Sequence, residues 1–253
     1  MDWKRKLSGL LAAAMLAGTL PSAALAWDAP QQTAWTQASR DGVAARFFVG
    51  SDTHIGRNTD ASKKLSNALG VFHTVDAQAD GVLLVGDVTN NGQVQEYDAL
   101  MDIVNGSALG AAGKVQLSMG NHEYNSGTMA RFEEKTGQKA NTVLYYGEGG
   151  KQSENAEEID RLTATVVKLS TKNYGGDYTD QYDMMKTALE TATAKNADAP
   201  VIVIGHHGIP NTAYVTNEWY GSYGKASRSL HRMKRWAAPW LRSMDRMTVC
   251  VMP

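Results

Sequence analysis

Four short clusters of the sequence hold side chains that can bind metal ions. The clusters are Asp52-Thr53-His54, Gly86-Asp87, Gly120-Asn121-His122-Glu123 and Gly205-His206-His207. Together they offer carboxylate, carboxamide and imidazole groups, a ligand set that suits Mn, Fe or Zn better than Ca or a soft metal. Two such ions about 3.5–4 Å apart can hold both the attacking and the leaving oxygen in phosphoryl hydrolysis. Asp87 is the natural shared ligand because it stands alone in its cluster.

Each cluster has a simpler interpretation when it is taken by itself. An Asp-x-His sequence after a strand is most often a turn or a helix cap. Asn121 and Glu123 could likewise cap a helix, and His206 and His207 could be hydrogen-bonded neighbours at a strand end. Four clusters of matching chemistry in one chain favour a shared site over four separate structural roles.

The elements that must position these residues are predicted from apolar runs. Each cluster follows directly on a run with the character of a buried strand: Ala44–Gly50, Gly81–Gly86, Lys114–Met119 and Pro200–Gly205. Helical spacing of apolar residues predicts a helix over 61–80 and a second one from Val94 to Val104. The alternation predicts parallel βαβ units covered on both faces. Because ligands bind outside the carboxyl ends of strands in such sheets, the clusters are expected to converge.

The second half of the chain continues the α/β pattern. Thr163–Ser170 alternates like a further strand, and Tyr178–Lys195 predicts a helix with one apolar face. The segment Gly147–Glu158 is rich in Gly and Glu and predicts a surface loop. No internal repeat or low-complexity tract interrupts this pattern.

In this order, the clusters resemble the motifs of the calcineurin-like metallophosphoesterase family. The family pattern is D-x-H, then G-D-x-x, G-N-H-[ED], G-H and a terminal G-H-x-H, and the resemblance spans roughly Arg46 to Gly208. The G-N-H-E element is its most specific part. The resemblance implies a four-layer α/β/β/α sandwich, in keeping with the predicted alternation of strands and helices.

The resemblance also implies roles for individual residues. It implies two divalent or trivalent metal ions (Mn, Fe or Zn), with Asp52 and His54 on the first, Asp87 on both, and Asn121 and His206 on the second. His122 would not bind metal; it would stabilise the phosphoryl transition state or protonate the leaving oxygen, a role that suits an imidazole pKa. Asn90 stands where purple acid phosphatases place a metal-bound tyrosine, which disfavours that subgroup.

The terminal G-H-x-H motif of the family is absent after Gly208, where it would supply one histidine to each metal. His231 stands alone and lacks the glycine and the second histidine. Composition also changes near Ser222: residues 222–253 carry seven basic residues against Asp245. A frameshift or premature end near Ser222 explains both features, and a genuine basic tail is the alternative. Either way, we expect no clear strand in 222–253 and a sandwich that is incomplete at its C-terminus.

Overall composition describes an ordinary globular chain with an N-terminal targeting segment. The 253 residues include 25 basic and 26 acidic side chains, so the net charge of −1 gives no electrostatic signature for nucleic acid. The single cysteine, Cys250, excludes an internal disulfide framework and a thiolate metal site. Residues 1–26 have a basic start, a short apolar run and an A-x-A-like end, which predicts a signal peptide rather than a buried helix.

These observations predict three segments: a signal peptide over 1–26, a phosphoesterase domain over 27–221 with its core at 44–210, and an atypical basic tail over 222–253. No window is apolar enough over a sufficient length to span a membrane. We expect the protein to be exported to a periplasm, a cell surface or the medium. The sequence leaves its oligomeric state open.

The expected function is hydrolysis of phosphomonoesters or phosphodiesters, on a small-molecule or macromolecular substrate, by in-line attack of a metal-bridging hydroxide. One alternative is a truncated remnant that binds metal weakly and does not turn over, because two expected histidine ligands are missing. A second is a membrane-surface binder that uses the basic, Trp-bearing tail.

Overall fold

The computed structural model describes residues 42–172, 178–207 and 247–251, which all lie in one compact unit, Ala38–Pro253. Within this part of the chain, eight strands form two sheets and five helices cover them. The strands are β1 Phe47–Gly50, β2 Gly81–Val85, β3 Val115–Ser118, β4 Thr142–Gly147, β5 Gln152–Ser153, β6 Leu162–Lys168, β7 Val201–Gly205 and β8 Met247–Val251. The helices are α1 Thr59–Val75, α2 Val94–Gly106, α3 Ala108–Ala111, α4 Met129–Thr136 and α5 Tyr182–Lys195.

The first sheet has the order β1-β2-β3, and both of its strand pairs are parallel. Its central strand, β2, is buried at every position, as expected for a continuous apolar run inside a parallel sheet. Helices α1 and α2 connect the strands, so the predicted βαβ units are confirmed. Both helices carry an apolar face, with Leu65 and Leu69 of α1 and Leu100 and Val104 of α2 buried.

The second sheet is mixed and has the order β5-β4-β6-β7-β8. Strand β4 pairs antiparallel with β5 and β6, whereas β6–β7 and β7–β8 are parallel. The predicted strands over 163–170 and 200–205 correspond to β6 and β7. Strand β4 was not predicted, although its sequence TVLYYG is rich in aromatic and β-branched residues.

The two sheets pack face to face around a shared apolar core. Leu83 and Val85 of the first sheet pack with Leu144, Tyr146 and Val166 of the second. The outer face of the first sheet is covered by α1, α2 and α4, and that of the second sheet by α5. The chain therefore forms the expected α/β/β/α sandwich.

Three predicted boundaries differ from the structure. The first helix ends at Val75 rather than at residue 80, because Asp76 adopts an extended backbone and contacts Arg46. The helix expected from Tyr178 begins at Tyr182, after a 3₁₀ turn over Thr179–Gln181. The surface loop over 147–158 contains the short strand β5 and two 3₁₀ turns.

The expectation of no strand within residues 222–253 is wrong. Residues Met247–Val251 form β8, which pairs in parallel register with β7, with Val203 opposite Val249. The run MTVCV contains two valines and a threonine, which are typical of a strand, but the basic residues around it hid this signal. The predicted signal peptide, His231 and most of the basic tail lie outside the described residues.

Candidate metal centre

The carboxyl ends of four parallel strands bring the predicted clusters to one edge of the sandwich. Asp52 and His54 follow β1, Asp87 follows β2, His122 follows β3, and His206 follows β7. Because β1, β2 and β3 are adjacent and parallel, their C-terminal loops lie side by side. The first sheet thus positions most of the cluster, and β7 adds His206 from the second sheet.

Asp87 lies at the centre of this cluster and is buried. Its Oδ2 atom is 3.2 Å from Nε2 of His206, 3.9 Å from Nε2 of His122 and 4.0 Å from Nε2 of His54. Two groups of ligand atoms have all members within 4.8 Å of one another: His54 with Asp87 and His122, and Asp52 with Asp87 and His206. Asp87 is the residue that the two groups share, which fits its predicted place between two ions.

Asp52 and Asn121 flank this centre. Asp52 Oδ1 is 3.7 Å from Nε2 of His54, and its side chain is the most accessible of the candidate carboxylates, at 35% exposure. Asn121 precedes the 3₁₀ turn His122–Tyr124 and makes no side-chain capping hydrogen bond there. The role of Asn121 as a ligand stays a prediction.

His122 is held by its backbone and by one ring nitrogen. Its backbone N–H donates to Oδ1 of Asp87 at 2.9 Å, and Nδ1 lies 2.7 Å from the carbonyl oxygen of Asn90. Since a carbonyl oxygen can only accept, Nδ1 carries the proton and Nε2 is left facing Asp87. The ring also meets the ring of His54 edge to face, with centroids 4.5 Å apart. This geometry is compatible both with the predicted catalytic role and with metal ligation.

His206 is oriented in the same way. Its Nδ1 lies 3.1 Å from the carbonyl oxygen of Val85, so Nδ1 donates and Nε2 faces Asp87. Burial lowers the pKa of His206, but the hydrogen bond to Asp87 and its negative charge outweigh burial and raise it. Burial likewise raises the pKa of Asp87, and the hydrogen bond and charge of His206 reverse that and hold it below its ordinary value. The two residues form a charge-assisted pair.

His207 takes no part in the centre despite being the next residue. Its backbone N–H donates to the hydroxyl of Tyr178 at 2.9 Å, and its ring meets the His206 ring edge to face at 5.1 Å. Burial, together with the neighbouring charge of His206, lowers the pKa of His207 to about 4. His207 is therefore a neutral packing partner of His206. Burial similarly lowers the pKa of His54.

The ligand-bearing loops have an unusual backbone. Among the described residues, three non-glycine residues have a positive φ, and all three are predicted ligands: Asp52 at 56°, His54 at 43° and Asp87 at 49°. Such a conformation costs on the order of 1–3 kcal/mol per residue and persists where the surroundings enforce it. Backbone hydrogen bonds supply part of that enforcement, from Asp52 N–H to Gly86 at 3.2 Å and from His54 N–H to Asp87 at 3.0 Å. Strain concentrated on these residues is typical of a functional site.

Two glycines allow the loops to approach one another closely. A Cβ on Gly86, which has φ 72°, would lie 2.5 Å from the His206 side chain. A Cβ on Gly120 would lie 2.2 Å from Oδ1 and 2.6 Å from the backbone nitrogen of Asp87. Neither position has room for a side chain, which explains why both are glycine.

Glu123 is a residue of the site that the sequence left without a role there. Its side chain is fully buried, and its two carboxylate oxygens accept hydrogen bonds from the loops after β2 and β3. Burial raises its pKa to about 7 against the opposing effect of these hydrogen bonds. Its position in the G-N-H-E element could have indicated a role at the site, but the sequence analysis interpreted Glu123 only as a possible helix cap.

The donor set fits a metal ion. Within the described part of the chain, neither Asp52 nor Asp87 forms an ion pair with a lysine or arginine; both face imidazoles instead. Carboxylates and imidazoles whose donor atoms converge in this way form a nitrogen and oxygen site for a divalent transition metal or zinc. The chemistry of the residues therefore agrees with the predicted metal class.

A cavity of about 570 Å³ opens beside Asp52 and His54. Its lining includes the apolar side chains Leu65, Phe72 and Leu84 and the cationic side chains Arg57 and Lys64. The volume lies within the range of small-molecule sites, and the two cations favour a negatively charged occupant.

The fold and the site together define a metal-binding α/β/β/α sandwich. A model of the family "Calcineurin-like phosphoesterase" matches residues 45–236, which is most of the chain. The chain belongs to the calcineurin-like phosphoesterase family. The match extends past Ser222 into the basic tail, so family similarity does not stop where the composition changes. A search of curated proteins finds no match, and no helix in the described residues is long and apolar enough to cross a membrane.

Proposed function

We propose that the protein is an exported phosphoesterase that uses two metal ions to hydrolyse phosphomonoesters or phosphodiesters. The observation that carries the proposal is the position of Asp87. Its carboxylate belongs to both of the groups of ligand atoms that lie within 4.8 Å of one another. Membership of the phosphoesterase family supplies the reaction class. The N-terminal segment 1–26 supports export, and N-terminal sequencing of the exported protein should then begin at Trp27.

The residues that would hold the metals are those of the predicted set. The family resemblance would place Asp52 and His54 on one ion, Asn121 and His206 on the other, and Asp87 on both. The ligand-atom distances instead group His54 with His122, and Asp52 with His206, each together with Asp87. When bound, the two ions supply Lewis-acid stabilisation of the phosphoryl oxygens and make a hydroxide available at neutral pH.

The side chains around the metals orient the substrate and move a proton. His122 has its Nδ1–H fixed on the carbonyl of Asn90, which leaves its Nε2, 3.9 Å from Asp87 Oδ2, available to a phosphoryl group bound at the metals. A protonated Nε2 can stabilise the developing negative charge or donate to the leaving oxygen. The cavity next to Asp52 suits the organic part of a small phosphoester, and Arg57 favours one that carries a further negative charge.

A turnover assay tests the proposal. The full chain is incubated with Mn²⁺ and either p-nitrophenyl phosphate or bis(p-nitrophenyl) phosphate, and product is followed by absorbance. Turnover should require metal and fall at least about 100-fold in Asp87→Asn and in His122→Ala. His73→Ala is the matched control, since His73 is an exposed histidine in the last turn of α1. Metal-dependent turnover that survives in Asp87→Asn would overturn the proposal.

The second candidate function is metal binding without catalysis. Residues 209–253 contain no G-H-x-H sequence, the motif from which the resemblance draws one histidine for each ion, and this observation favours it. The same protein distinguishes the two: Mn²⁺ binding by calorimetry with no turnover of either substrate supports the non-catalytic function. Binding together with turnover that depends on His122 supports the enzyme.

A further inference from the structure

We propose that Glu123 is the positioning residue of the metal centre. It fixes the backbone of Asp87 in the conformation that turns its carboxylate toward His54, His122 and His206. This inference rests on the proposed function, since Asp87 is there the ligand shared by both ions.

The contacts of Glu123 join the loops that carry the ligands. Its Oε2 accepts the backbone N–H of Asp87 at 3.0 Å and that of Gly120 at 2.7 Å. Its Oε1 accepts both the backbone N–H and the hydroxyl of Thr89, each at 2.8 Å. One carboxylate thus binds the backbone N–H of Asp87 and that of Thr89, two residues later. Through Gly120 it also connects this loop to the turn that carries Asn121 and His122.

The backbone of Asp87 needs such support. Its φ of 49° lies in the left-handed region, which residues other than glycine rarely adopt without enforcement. Its carbonyl oxygen in turn accepts the N–H of His54 at 3.0 Å. Glu123 therefore acts directly on Asp87 and, through it, on the loop that carries His54.

The chemistry of Glu123 suits this role better than a general structural one. The carboxylate is 0% exposed, and within the described residues it makes no ion pair with a lysine or arginine. Its four hydrogen bonds all come from residues of the loops after β2 and β3. An amide at the same position would present N–H groups to backbone N–H groups, so at least one pair of donors would lose its acceptor.

Metal binding provides the test. Glu123→Gln is prepared in the full chain, and the Kd of Mn²⁺ is measured by calorimetry alongside the electron paramagnetic resonance spectrum of the bound ions. We expect the Kd to rise about 10- to 100-fold and the spectrum to change. At saturating Mn²⁺ the kcat should recover to within about threefold, because the ligands themselves are retained.

Asp80→Asn is the matched control. Asp80 is a second buried carboxylate, and it accepts the backbone N–H of Arg46 at 2.7 Å at the opposite end of β2. This variant should lose stability and keep the Mn²⁺ Kd of the wild type. A Glu123→Gln protein with the wild-type Kd overturns the inference. A wild type that binds no Mn²⁺ overturns the proposed function and the inference together.

Thr89→Val decides the question if Glu123→Gln does not fold by circular dichroism. This substitution removes the hydroxyl bond to Oε1, and also the bond that the hydroxyl accepts from the Gly92 N–H at 3.1 Å. It keeps the carboxylate with its three backbone bonds. The Kd of Mn²⁺ should then rise about three- to tenfold, as expected when Glu123 loses one of its four hydrogen bonds. An unchanged Kd in a folded Thr89→Val protein overturns the inference.

Discussion

The two ends of strand β2 each carry a buried aspartate, and their surroundings differ. At the amino end, Asp80 exchanges backbone hydrogen bonds with Arg46: its Oδ2 accepts the Arg46 N–H at 2.7 Å, and its own N–H donates to the Arg46 carbonyl at 2.8 Å. At the carboxyl end, Asp87 faces three imidazoles. An aspartate thus hydrogen-bonds to the backbone before the neighbouring strand at one end of β2, and contacts the candidate metal ligands at the other end.

The difference also extends to the backbone. Asp87 has a positive φ, whereas the residues around Asp80 do not, so strain is confined to the end where the ligands lie. The amino end is further stabilised by an ion pair between Arg46 Nη1 and Asp76 Oδ2 at 2.6 Å. In this molecule, the end of the strand that satisfies its charges locally stabilises the fold, and the end that leaves a carboxylate among histidines is available for chemistry.

The largest effect is expected from Gly120→Ala at the carboxyl end. The added Cβ would lie 2.2 Å from Asp87 Oδ1, which real structures do not tolerate, so the Asp87 carboxylate must move. Mn²⁺ binding should weaken by more than about 100-fold and turnover should fall with it. Calorimetry and the p-nitrophenyl assays measure both. Gly106→Ala, at a site with open space around the new Cβ, is the control and should retain both properties.

The amino end should respond in the opposite way. Asp76→Ala removes the carboxylate that pairs with Arg46 and that accepts the Gln78 N–H at 2.9 Å. We expect the free energy of unfolding in urea to fall by about 3 kcal/mol, since a largely buried arginine loses this carboxylate. The Mn²⁺ Kd of the folded protein should stay within about twofold of the wild type. A Kd that changes as much as in Gly120→Ala would erase the distinction between the two ends.

Most of the fold followed from apolar periodicity, and its gaps have physical causes. Strands β1, β2, β3, β6 and β7 were predicted because each is a short apolar run bounded by turn residues. Helix α4 was missed because it is mostly polar, although Thr128 caps its start and Gly137, with φ 66°, ends it. Strand β4 was missed because its pairing is antiparallel and lies outside the βαβ pattern.

The sequence predicted which residues form the candidate site, but not their backbone conformations or hydrogen bonds. The structure brings Asp52, His54, Asp87, His122 and His206 together, and this convergence followed from parallel strand topology. The positive φ of Asp87 and the four hydrogen bonds of Glu123 could not be predicted, because they depend on how three separate loops meet. The roles assigned to Asn121 and His122 stay predictions until metal binding and turnover are measured.

Lys168 provides the smallest expected effect and a third kind of buried charge. It is 1% exposed at the end of β6, and its Nζ has Gln138 Oε1 at 3.4 Å. Burial lowers its pKa to about 8 from 10.5, an effect that outweighs the more distant charges of Glu154 and Glu133. Because the unfolded chain binds this proton more tightly, stability should rise as pH increases through about 8 toward 10.5. Lys168→Met should then be more stable than the wild type by about 2 kcal/mol at pH 7, with a smaller difference at high pH. Urea unfolding at pH 7 and at high pH measures this difference. A Lys168→Met protein that is less stable than the wild type at pH 7 would show that the contacts of Lys168 outweigh the cost of burying its charge.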